Sequence, residues 1–87
     1  MSIVLTSRLD TAAAAPLRQS LSSLVEAAQP IVIDGGAVDQ IGQACLQVLA
    51  AARAAAVARG LSWQVAFPSV AMVEAGKLAA IDVLTAA

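Results

Sequence analysis

The chain has 87 residues, a formal net charge of −1 and no His, which is the length of one domain and leaves no room for a second. Hydrophobic residues make up 60% and charged ones 13%, a balance that argues against intrinsic disorder. Five scattered cations cannot supply the basic stripe of a nucleic-acid groove binder. With no His and Cys45 as the single Cys, an imidazole base, an intramolecular disulfide and a Cys-based zinc cage are excluded. Of the apolar residues 22 are Ala, so ten Leu, ten Val and five Ile must build the core. So few charges leave apolar surface for a partner or a second copy of the chain.

Ile3-Val4-Leu5 is short, apolar and β-branched, and reads as a strand. Met1 to Leu5 carries no basic n-region, and Arg8 and Asp10 follow at once, so no secretory leader is read and a cytoplasmic location is expected. Asp10 or Thr11 can cap a helix over about Ala13 to Ala28. Leu17, Leu21, Leu24 and Ala28 recur on one face of it, with Gln19, Ser22, Ser23 and Glu26 opposite. Pro16 fits only in the opening turn, where a missing N–H loses no partner. Gln29-Pro30 ends the helix.

Ile31-Val32-Ile33-Asp34 predicts a central strand covered on both faces, the habit of parallel sheets. Gly35-Gly36 opens a loop. A second, Ala-rich helix is expected from about Gly42 to Arg59, with Gly60 as its left-handed terminator. Hydropathy there does not make a membrane span: Gln43, Gln47 and Arg53 leave no apolar run above five residues, against about 20 needed. Leu61 to Phe67 reads as a third strand with Trp63, Val65 and Phe67 on one face. Ser69 caps a last helix from Val70 to about Leu78, and the tail from Ala79 to Ala87 is expected to continue as a further short turn or helix. Strands alternating with helices, β-α-β-α-β-α, predict a compact α/β domain spanning 1–87, with a small, mostly parallel or mixed sheet and three to four helices.

Functional groups of open α/β sheets gather beyond the carboxyl ends of the strands. Here that region is Asp34 to Gln43, with two acids, three glycines and two amides. Asp34 and Asp39 admit two readings, a carboxylate pair for Mg²⁺ or a turn cap beside a solvated acid. Two acids are a poor ligand set, so no metal is assigned. Cys45 is a redox thiol or a small buried hydrophobe, with the second favoured. Arg53 and Arg59 read as the solvated side of a helix, Arg59 also suiting a negative helix end. No nucleophile assembles with a base, so no catalytic residue and no cofactor are expected.

Leu9-Asp10 before a helix with Leu17-Arg18 and Leu21, an aliphatic strand ending in Asp34, Ile41-Gly42-Gln43-Ala44-Cys45-Leu46-Gln47-Val48-Leu49, Gly60 before a strand, and Pro68-Ser69 opening a helix occur in one order. In that order and spacing the chain resembles the STAS domains (sulfate transporter and anti-sigma factor antagonist) from about Leu5 to Leu84. The anti-sigma antagonists read Asp-Ser-Ser-Gly-Leu where this chain, aligned on Leu46, has Gly42, Gln43, Ala44 and Cys45. Ala44 stands at the phosphorylated Ser and has no hydroxyl, so that switch is not carried over.

The Gly-x-x-Cys-Leu-Gln-Val-Leu variant resembles short STAS proteins encoded with bacterial chemotaxis genes. The resemblance implies a non-catalytic adaptor that binds a histidine kinase or other ATPase-fold kinase, with no nucleic acid and no membrane insertion, and it leaves a homodimer open. Its partner surface would comprise Asp34, Gly36, Asp39 and Gln40 in the loop and Gly42, Gln43, Ala44 and Gln47 at the second helix. Gln43 and Gln47 are one turn apart and share a face. Two other memberships stay open: the STAS subunit of an ABC lipid transporter, gripping its nucleotide-binding subunit, and an antagonist that cannot be phosphorylated.

Overall fold

The computed structural model describes residues 2–87; Met1, part of the leader and single-domain readings, lies outside them. In chain order the elements are β1 (Ser2–Val4), β2 (Arg8–Leu9), α1 (Thr11–Glu26), β3 (Ile31–Asp34), β4 (Gln40–Ile41), α2 (Gln43–Ala58), β5 (Trp63–Ala66) and α3 (Val70–Ala79). The fold is α/β, as the strand–helix alternation predicts. β1, β3 and β5 form a parallel sheet in the order β1-β3-β5, and β2 pairs with β4 in a parallel two-stranded ledge. That ledge has only two residues per strand, too short for a hydropathy pattern to reveal.

β3 is the central strand, with Ile31 beside Trp63 and Ile33 between Ile3 and Val65. Ile31, Ile33 and Trp63 are buried. The opposite face differs from expectation. Val4 is 66% exposed, Gln64 is exposed, and Val32 and Asp34 are half-buried. Consecutive crossovers of one hand along the order β1-β3-β5 put α1 and α2 on the same face, so the other face stays open. Leucines 17, 21, 24, 46 and 49 fill the space beneath the two helices.

α1 starts two residues earlier than the periodicity predicts because the Asp10 carboxylate accepts from the Ala13 N–H at 3.2 Å. Pro16 therefore sits in the second turn, not the first. Its ring removes the donor for the Ala12 carbonyl, a loss that falls on an exposed residue rather than in the core. Ala28, expected on the buried stripe, is exposed and left-handed at φ 55° beyond the helix end. There Arg59 donates to the Val25 carbonyl at 2.8 Å. This arginine thus serves the negative end of α1 rather than that of its own helix. α2 ends before Gly60, which is left-handed at φ 69° as predicted.

Phe67 departs most from expectation. It is left-handed at φ 52°, which breaks the strand alternation and leaves the ring 76% exposed. Ser69 caps α3 through a 3.1 Å bond from the Met72 N–H, as predicted. The tail is not a helix. It returns along β5, where Trp63 and Ala87 exchange N–H···O=C bonds at 3.1 and 3.0 Å and the Trp63 indole N–H donates to the Val83 carbonyl at 2.9 Å. Arg53 donates to the Thr85 carbonyl at 2.8 Å. Hydrogen bonds from the Thr85 hydroxyl, then from the Thr85 and Leu84 N–H groups, hold the Asp82 carboxyl below its usual range.

Cys45 is buried, and its thiol donates to the Asp10 carbonyl at 3.3 Å. Burial first, then the Asp10 carboxylate, pushes its pKa up. The thiol is a core group that stays protonated.

Gly60→Ala should lower unfolding free energy in urea by about 1 kcal/mol, because a Cβ is strained in the left-handed region. Ala80→Gly should raise it by about 0.5 kcal/mol, since Ala80 already adopts φ 55° and relief of that strain outweighs the added chain entropy. The native Cys45 thiol should react with a disulfide reagent only as fast as the domain opens, and rapidly in denaturant. Asp82, lowered in the folded state, contributes stability above its unfolded pKa that is lost as pH falls through the folded one. Asp82→Asn should therefore flatten the acid limb of the stability profile.

Candidate functional site

The starts of α1 and α2 lie side by side because β2 and β4 align them. The Asp39 and Gln40 N–H groups both donate to the Ser7 carbonyl, at 2.8 and 3.0 Å, and Gly42 N–H donates to the Leu9 carbonyl at 2.9 Å. Arg8 sits beside Gln40 and Leu9 beside Ile41. The Cys45 bond to the Asp10 carbonyl then ties the first turn of α2 to the cap of α1. These bonds fix the position of the segment from Asp39 to Gln47.

The two helix starts are capped differently. Asp10 caps α1 through its side chain, whereas Gly42 caps α2 with backbone alone. Gln43 and Gln47 are both exposed on α2, as their spacing predicts, and Ala44 between them is half-buried. Neither glutamine carries charge. At Ala44 the only group offered outward is a methyl, so this helix start has nothing to phosphorylate.

Ala44 and Gln47 lie at one end of a groove between α1 and α2, with a volume of about 530 Å³. Ala51, Ala52, Ala55 and Val48 continue the α2 wall, and Leu21 and Val25 form the α1 wall. Arg18 and Glu26 stand on the same groove. The periodicity of α1 puts Ser22 and Glu26 opposite its apolar stripe, where both are exposed, and Arg18 enters the sequence pattern only through the Leu17-Arg18 pair. The available signal was the run of small residues at helical spacing, Ala44, Val48, Ala51 and Ala55, which lays one narrow stripe along α2.

The other expected site residues are not gathered into this groove. Gln40 and Gly42 border a shallower depression with Arg8 and Thr11. Asp39 is exposed on the turn leading into β4. Asp34 is half-buried at the end of β3, where its carboxylate accepts from the Gly36 N–H at 2.9 Å, the turn-cap geometry. A Cβ at Gly36 would lie 3.6 Å from that of Phe67, so this corner of the surface belongs with the exposed ring. Gly35 is buried against Met72 and Pro68. Among the described residues no group of three or more His, Cys, Asp or Glu is placed to hold a metal. Among them, too, no helix is long and apolar enough to cross a membrane.

The family model described as the Mlab STAS domain matches residues 1–86. No curated protein and no solved structure matches the chain significantly. With that match over nearly its whole length, and an α/β fold in the order anticipated, the chain belongs to the STAS domain family.

Proposed function

We propose that this STAS domain is a non-catalytic docking module of bacterial signal transduction, acting in the cytoplasm as an adaptor for a chemotaxis-type histidine kinase. The observation that carries the reading is the start of α2, where exposed Gln43 and Gln47 flank a residue without a hydroxyl. Amides recognise a partner by hydrogen bonds, and their charge does not change with phosphorylation or with pH near neutrality. The surface they mark is held by the β2–β4 ledge and by the Cys45–Asp10 bond, so little conformational entropy is lost when a partner docks.

A second reading draws support from the groove itself. Walls of Leu, Val and Ala resemble permanent interfaces, which are more apolar than transient ones. A STAS subunit held constantly on the nucleotide-binding subunit of an ABC lipid transporter would use such a groove. The two readings differ in lifetime: an adaptor exchanges, whereas a subunit co-purifies through extended washing.

Calorimetric titration into a purified chemotaxis-type kinase should show binding that Gln43→Glu or Gln47→Glu weakens by roughly tenfold, with circular dichroism unchanged. Unaltered affinity in both variants would remove the α2 start from the interface. Incubation with kinase and ATP should add no phosphoryl mass to any peptide within residues 24–61, a stretch without Ser, Thr, Tyr or His.

A further inference from the structure

We propose that the α1–α2 groove is the interface of a two-fold dimer of this chain, which goes beyond partner docking and competes with it at Ala44 and Gln47. Arg18 and Glu26 are exposed on the same groove. Arg53 and Arg59 are each committed to a backbone carbonyl, but among the described residues neither Arg18 nor Glu26 has such a partner. The two are eight positions apart on α1, about 12 Å along the axis, with exposed Ser22 halfway between them.

That spacing is complementary to itself. In a two-fold interface, residue i meets j while j meets i. When α1 lies antiparallel to its copy with Ser22 at the axis, Arg18 of each protomer faces Glu26 of the other, and the pair forms twice. A parallel arrangement would put like charges together, so the charges select one orientation. An unrelated partner helix would need its own acid and base at the matching separation. A second copy supplies both by symmetry.

The rest of the groove suits helix packing. Ser22 on α1, with Ala44, Ala51 and Ala55 on α2, presents small side chains that let helices approach closely, and half-buried Val48 supplies apolar contact. Removing these groups from water drives association, while the exposed ion pairs contribute orientation more than affinity. Because the dimer covers Ala44 and Gln47, the paired chain is a reserve form. Binding a partner there requires dissociation.

Sedimentation equilibrium over a concentration series tests this. The wild-type mass should rise from 8.7 kDa toward twice that value. Arg18→Glu and Glu26→Arg, each of which sets like charges face to face, should raise the dimer dissociation constant roughly tenfold or more. The double variant, R18E with E26R, should return it to within about threefold of wild type. Circular dichroism should be the same for all four proteins. A monomer at every concentration overturns the proposal, as does a dimer indifferent to the single reversals or a double variant weaker than either. The docking reading fails separately, through Gln43→Glu in the kinase titration.

Discussion

Parallel pairing of β3 with both β1 and β5 is the constraint on which the rest of the molecule depends. Parallel neighbours cannot be joined by a tight turn, so each pairing demands a crossover, and α1 and α2 are those crossovers. Since both return on the same side, the two helices pack against each other over Ile31, Ile33 and Trp63. The groove between them is therefore a product of strand order. The same pairing sets the Asp34 turn against the end of β5, while the β2–β4 ledge sets the start of α2.

The strand–helix alternation, the caps at Asp10 and Ser69, the stop at Gly60 and the central place of Ile31-Val32-Ile33 were legible in the sequence because each rests on local chemistry. What was hidden depended on geometry between elements. Three β-branched residues in a row announce a middle strand but not which faces get covered; that follows from crossover hand and strand order. Phe67 fits an alternating pattern until its backbone turns left-handed, and no residue type there warns of it. The tail's return to Trp63 is a contact over more than twenty positions and leaves no periodic trace. In the candidate site, the exposure of Gln43 and Gln47 was readable from helical spacing. Arg18 and Glu26 could not be assigned to a groove until α2 supplied its other wall.

The start of α2 combines rigidity with chemical quiet. Backbone bonds to Ser7 and Leu9 hold its approach, and a buried thiol bonds the neighbouring helix cap. On the docking reading proposed above, such a surface would change little between free and bound forms, and recognition would rest on shape and amide hydrogen bonds. The first turn of α2 itself offers no hydroxyl to phosphorylate, so on the same reading regulation would enter by covering the surface or by changing the partner.

The exchange of bonds between Ala87 and Trp63 has a wider consequence for how these molecules behave at high concentration. It pairs the outer edge of β5 at Trp63, and an open edge is where strands from other molecules add to a sheet. The opposite edge of that sheet belongs to β1, only three residues long, a poor template for runaway stacking. The Trp63–Ala87 pair thus shortens the exposed edge that β5 offers to another chain.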